Sequence, residues 1–214
     1  MQKVLYLNLL LTIRNTEEGG LKRIFKHLIE TCVQSLINCI LKIIMPRPRQ
    51  SEYTSFFSNY INLTNGNHYK DLVNNHNKII CDYWTHIPDE KWEYSYADGK
   101  WTIKQLFQHV IDTERILAFR ALSIARKEPS PLSSFDENEY AKNGNATDRD
   151  PLSMINEFRF LRKSTNYLYS SFKDQEKILS GKVVDKTISV NALGFIIIGH
   201  SLHHINICKK YYGL

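Results

Sequence analysis

Four stretches of this chain repeat apolar residues at helical spacing, and each is bounded by residues that start or stop helices. The first runs from His68 to His86, with Leu72, Val73, His76, Ile79, Ile80 and Tyr83 recurring; Pro88 follows it, and Asp98-Gly99 marks a turn. The second opens on Thr102-Ile-Lys-Gln105. There the threonine hydroxyl and the glutamine amide can satisfy the orphan N–H groups of a helix start. It continues to about Lys127 on a stripe of Ile103, Leu106, Val110, Leu117, Ala121 and Ile124, until Pro129 and Pro131 stop it. A polar connection, Ser130–Asp150, leads to the third. Asp150 reads as its N-cap and Pro151 takes the first helical position, where a missing N–H costs nothing. Leu152, Ile155, Phe158, Leu161, Leu168 and Phe172 form its stripe. After Gly181 and a connection over Val183–Ile188, Ser189 caps the fourth, which runs through Leu193, Ile196, Ile197, His200, His204 and Ile207 to about Tyr211. No βαβ pattern, internal repeat or glycine-rich phosphate loop interrupts this order. The predicted fold class is all-α, a four-helix bundle with a long crossover between the second and third helices. Arg47–Tyr69, aromatic and Asn-rich, reads as an extended arm packed on that body.

Charge separates the chain into two parts. Residues 1–49 hold eight Lys and Arg against Glu17, Glu18 and Glu30, so they carry +5 of the net +6. The remaining 165 residues are nearly neutral and have no clustered basic stripe, which argues against nucleic-acid binding by the body. Four scattered cysteines, with no CxxC pair, fit a reduced, cytoplasmic setting.

Residues 1–44 stand apart from the bundle pattern. Met1–Ile13 is a signal-like apolar run with almost no positive flank and no small-residue cleavage site. Leu21–Met45 is apolar and basic, but Gln34, Ser35, Asn38 and Lys42 interrupt it too often for a spanning helix. The preferred division is an N-terminal extension, 1–44, with Met45 as the true initiator, and a functional domain, 45–214. A targeting leader and a membrane-surface amphipathic helix are the alternatives, and a membrane contact is expected only if the extension is real.

Three of eight histidines fall in Gly199-His-Ser-Leu-His-His204. His200 and His204, four residues apart on a helix, project from one face and can reach a single ion. His203 is three residues from His200, so the spacing alone leaves open which of them would ligate. Histidines so placed are more often polar groups satisfied by their neighbours. His109 changes the balance. It lies seven residues, or ~10 Å, after the second helix starts, and His204 lies seven residues before the fourth ends. Antiparallel helices would bring these levels together, supplying three neutral nitrogen donors and leaving coordination positions open, as in a catalytic site.

The residues around these histidines also carry a family pattern. Gly99-Lys-Trp-Thr-Ile-Lys-Gln105, His109-Val-Ile-Asp-Thr-Glu-Arg115, Phe119-Arg-Ala-Leu-Ser-Ile-Ala-Arg126, Ser189-Val-Asn-Ala-Leu193 and Gly199-His-Ser-Leu-His-His204 resemble the DinB-like superfamily, in its YfiT-like branch. Pro131-Leu, Phe135-Asp-Glu, Glu157-Phe and Arg162 belong to the same pattern, which covers about Met45 to Leu214. The resemblance implies an up-down-down-up bundle holding one divalent metal, zinc or nickel, through His109, His200 and His204. It implies a metal-dependent hydrolase acting on a small molecule, with water or a thiol activated at the metal. A thiol-dependent S-transferase using bacillithiol- or mycothiol-like partners is the alternative activity, and a non-catalytic metal-binding, stress-associated module the alternative class. A homodimer is within the same expectations.

Asp112 and Glu114 are the nearby acids. Either would serve as a tentative catalytic partner that orients a ligating histidine or accepts a proton, although such acids more often pair with an Arg such as Arg115. Cys208, one turn beyond His204, is a fourth ligand only if it faces inward, and apolar packing is its default. Arg120 and Arg126 are candidates for holding an anionic substrate group, with salt bridges and loop anchoring the more ordinary roles. Trp101 is expected to pack at the start of the second helix.

Overall fold

The computed structural model describes residues 19–44 and 47–214, with side-chain surroundings for 23–36 and 47–214. The apolar run of Met1–Ile13 and the candidate initiator Met45 lie outside these described residues. The chain divides into two compact units, Met1–Ile44 and Met45–Leu214. In the first, α1 (Gly19–Ile44) is a continuous helix on which Ile24, Leu28, Val33 and Leu36 are exposed. No helix among the described residues is long and apolar enough to cross a membrane.

In the second unit the predicted caps set the helix boundaries. After the short helix α2 (Ser58–Asn62) come α3 (Tyr69–Thr85) and α4 (Ile103–Ala125). The Thr102 hydroxyl accepts from the Gln105 N–H at 3.2 Å, and the Gln105 side chain accepts from the Thr102 N–H at 2.9 Å, so both halves of the capping box form. The crossover holds α5 (Glu137–Asn143) and ends at Asp150, whose carboxylate accepts from the Ser153 N–H at 2.7 Å to start α6 (Pro151–Ser171). A short α7 (Asp174–Lys177) precedes β1 (Ser180–Val183) and β2 (Lys186–Ser189), an antiparallel pair with Ser180 opposite Ser189. Ser189 then caps α8 (Val190–Ile207), which widens into a π-turn over Cys208–Tyr212.

The helix directions follow from side-chain pairs. Arg149 and Arg162 reach Gln108 and Glu114, so α6 runs with α4. Trp84, at the end of α3, stacks on Phe107 near the start of α4, with ring centroids 4.3 Å apart, so α3 runs against them. Tyr212 donates to the Trp101 carbonyl at 2.7 Å, which places the end of α8 at the start of α4. The order is up-down-down-up, with α3 and α4 each flanked by α6 and α8. Because α4 and α6 are parallel, the chain between them must travel back along the bundle, and this is why the crossover is long.

Three expectations change. Val183–Ile188 is not a plain connection but most of the β1–β2 hairpin. Hydrogen bonds from the Leu132 N–H to the Lys182 carbonyl and from the Val184 N–H to the Leu132 carbonyl zip it to the crossover. The arm contains α2, which packs on α8, and Arg47 holds it by donating to the carbonyls of Ile61, Thr64 and Gly66. Ile79 and Leu152 do not belong to the core stripes: they are 58% and 63% exposed, because the helices turn those positions outward while Ile80 and Ile155 face in.

Candidate metal centre

α4 and α8 lie side by side, and their antiparallel course brings His109, His200 and His204 to one level. All three are buried, and one ligand atom from each lies within 4.8 Å of the others. The His200 Nε2 is 3.0 Å from the Nε2 of His109 and 3.0 Å from the Nε2 of His204. Burial holds the His109 pKa down to about 4, and the neighbouring His203 adds to this. Burial, with the adjacent imidazoles adding to it, also pushes His200 and His204 well below the ordinary histidine value. The three rings are therefore neutral near pH 7, the state in which imidazole binds metal.

This arrangement is poorly served by hydrogen bonds alone. A neutral ring nitrogen has either one N–H or one lone pair. The His200 Nε2 cannot therefore make a good hydrogen bond to both nitrogens that crowd it. A cation placed among three lone pairs satisfies all of them, and the donor set, three imidazoles and no thiolate, suits a divalent transition metal. Thr113 Oγ1 lies 3.5 Å from the His109 Nδ1, and the Trp101 ring packs 5.0 Å from the His109 ring, so His109 is confined on both sides.

His109 and His200 also line a cavity of about 710 Å³. Its walls come from Thr113, Leu117 and Arg120 of α4, Tyr60 and its neighbours on the arm, Phe135 of the crossover, and the β1–β2 hairpin. Tyr60 meets His200 and His203 edge-on, with centroids 5.5 and 5.0 Å away. Gly199 makes this approach possible, since a Cβ there would overlap the Tyr60 carbonyl. Tyr60 and the hairpin were not singled out in the sequence as site residues, and Phe135 was noted only as part of the family pattern; the aromatic run around Phe56-Phe57 and Tyr60 was a further available signal.

The remaining candidates are placed elsewhere. Asp112 accepts from the Gln108 amide at 2.9 Å, within a network in which Arg149 and Arg115 share Glu157. Glu114 is sealed against Arg162 at 2.7 Å, and Arg162 donates to the Ser201 hydroxyl at 2.8 Å. Burial pushes the Glu114 carboxyl up while Arg162 pulls it down. Neither acid is hydrogen-bonded to the three histidines. His203 turns toward Tyr60, and Cys208 is buried beside the Tyr83 hydroxyl, whose hydrogen bond lowers its pKa against the larger effect of burial. Arg126 pairs with Glu176 at 2.7 Å.

YfiT from Bacillus subtilis, described as a probable metal-dependent hydrolase with an unusual four-helix bundle topology, shares this fold. The two are 17% identical and align with a TM-score of 0.59 over 78% of this chain and 91% of that one. A DinB-like protein of the same organism, YjoA, aligns at 10% identity with a TM-score of 0.46 over 65% of this chain and 87% of that one. No curated protein matches. The DinB superfamily model matches residues 80–208, more than half of the sequence, and spans all three histidines, so the chain belongs to the DinB superfamily.

Proposed function

We propose that His109, His200 and His204 hold one divalent ion, zinc or nickel, and that the domain formed by residues 45–214 is a metal-dependent hydrolase of a small molecule. The observation that carries this reading is the His200 Nε2, set 3.0 Å from two other ring nitrogens with one lone pair to offer. When bound, such an ion supplies Lewis-acid polarisation and brings the pKa of a water or thiol toward neutrality. The chain's own residues do the rest. Neutral histidines present lone pairs, Thr113 and Trp101 keep His109 in place, and the cavity admits a substrate against His109 and His200. The description of YfiT as a probable metal-dependent hydrolase supports the same activity.

A second reading, transfer to a low-molecular-weight thiol, is favoured by one feature. Asp112 and Glu114 are committed to Gln108 and Arg162, so neither stands ready as a general base. A thiolate nucleophile has less need of one than water does.

The test is elemental analysis of untagged protein beside a His109→Ala/His200→Ala double variant. About one equivalent of ion in the parent, lost in the variant, supports the site and justifies paired assays with ester or amide substrates and with thiol plus electrophile. No ion in either protein after reconstitution would end the enzyme reading and leave the histidines as packing groups.

A further inference from the structure

Among the described residues, Arg120 is the one buried charged residue of the cavity wall, since Glu137, Asp185 and Lys186 are exposed. It is 7% exposed, and among the described residues no carboxylate forms an ion pair with it. Its Nη2 donates to the Ser133 carbonyl at 2.8 Å, and its guanidinium carbon stands 5.7 Å from the Phe135 ring centre. A guanidinium offers five N–H donors, so most of this one's capacity is unused. Four other arginines are answered by carboxylates: Arg115 and Arg149 share Glu157, Arg126 has Glu176 and Arg162 has Glu114, while Arg47 spends its donors on three backbone carbonyls and the Thr64 hydroxyl. A charge drawn out of water without a counter-ion is costly unless an anion arrives to meet it.

We propose that Arg120 is a substrate-binding residue that receives the carboxylate of an elongated, otherwise apolar molecule whose other end lies at the three histidines. This rests on the hydrolase reading for the reacting end and on the cavity for the rest. His109, Thr113, Leu117 and Arg120 all line the cavity from α4. Eleven residues make just over three full turns, so His109 and Arg120 share a helix face about 16 Å apart along the axis. Both side chains lean toward the N-terminus, so only the greater length of the arginine shortens this separation, to roughly 12–15 Å. Leu117, Val183, Ile188 and Ile196 line the cavity as well and make it apolar. The other charged residues in the wall do not substitute for Arg120. Lys186 is exposed and already paired with Asp185 at 2.9 Å, and Glu137 is an exposed carboxylate that adds to the larger effect of burial in raising the Tyr60 pKa.

The test is isothermal titration of the untagged full chain, metal-loaded and metal-free, with 6-phenylhexanoate and with its uncharged amide. The parent should prefer the acid about tenfold or more in both forms, as expected for a charge-assisted hydrogen-bonded pair. Arg120→Gln should remove that preference, and Arg120→Lys should keep part of it. If Arg120 only anchors the crossover at Ser133, either substitution weakens acid and amide alike. Equal affinities in the parent, or binding of neither ligand, would overturn the proposal. Metal content measured on the same samples judges the histidine site separately. An acid preference without bound metal sinks the hydrolase reading alone, and bound metal without an acid preference sinks the Arg120 reading alone.

Discussion

Two polar clusters are buried along α4, and they solve the problem of burial in opposite ways. At Glu114 the charge is answered inside the fold: Arg162 meets it, both side chains are almost fully enclosed, and Ser201 takes a further donor. Five residues earlier, at His109, three rings converge without a carboxylate and open onto a cavity. Two of the histidines sit on the same helix as Ser201, so α8 serves both clusters from neighbouring faces. The difference separates structure from function. The Glu114–Arg162 pair is balanced in charge within the chain, although both carboxylate oxygens and the Arg162 Nε and Nη1 are buried without a hydrogen-bond partner, whereas lone pairs that converge beside a cavity indicate a ligand.

The largest expected effect breaks the closed cluster. Glu114→Ala leaves the Arg162 charge buried alone and should cost about 3–5 kcal/mol, read as a lowered urea midpoint. Replacing both residues with apolar ones of similar volume should recover most of that loss. If Glu114→Ala is neutral, the pair is not the closed structural unit described here. The open cluster should behave in the reverse way. Adding zinc or nickel at a hundred times its dissociation constant should stabilise the parent by about 2.7 kcal/mol and leave His200→Ala unmoved, measured by the same unfolding curve. Stabilisation of His200→Ala to the same extent would place the ion elsewhere. A smaller effect is expected at the wall of the cavity. Gly199→Ala forces a methyl against the Tyr60 backbone and should cost about 1–3 kcal/mol. Its thermal shift should be accompanied by weakened metal retention, because Tyr60 packs on His200.

The smallest effect lies outside both clusters and serves as a control. Backbone N–H groups of His68 and Asn67 hold the Asp71 carboxyl below its usual range. A depressed carboxyl contributes stability above its unfolded pKa and loses it as pH falls through the folded one. Asp71→Asn should therefore flatten a shallow loss of stability below about pH 4 while leaving metal binding untouched. An unchanged acid limb in that variant would remove the cap from the account of α3.

Much of the bundle was legible because its signals are local. The capping box at Thr102–Gln105, the Asp150-Pro151 start and the Ser189 cap each act within four residues, and each forms as read. The level of His109 against His204 was also legible, since helical rise converts residue number into distance once two helices are taken as antiparallel. Asp112 and Glu114 were not. They flank His109 in sequence, but helical rotation turns them away from it: Asp112 is engaged by Gln108 one turn back on α4, and Glu114 by Arg162 of α6. Leu152 and Ile79 failed for a related reason, because an apolar residue at the edge of a stripe faces inward only if a neighbour covers it.

From the sequence alone came the four helices, their caps and the length of the crossover, governed by local periodicity and spacing, while the helix order and the three histidines as a set followed from the family resemblance. Only the tertiary structure decided which charges would find partners. Glu157, Glu176 and Glu114 reach their arginines across 42, 50 and 48 residues, while Arg120 has no carboxylate partner among the described residues. Pairing at that separation depends on which helix faces meet, and no local pattern of residues encodes that.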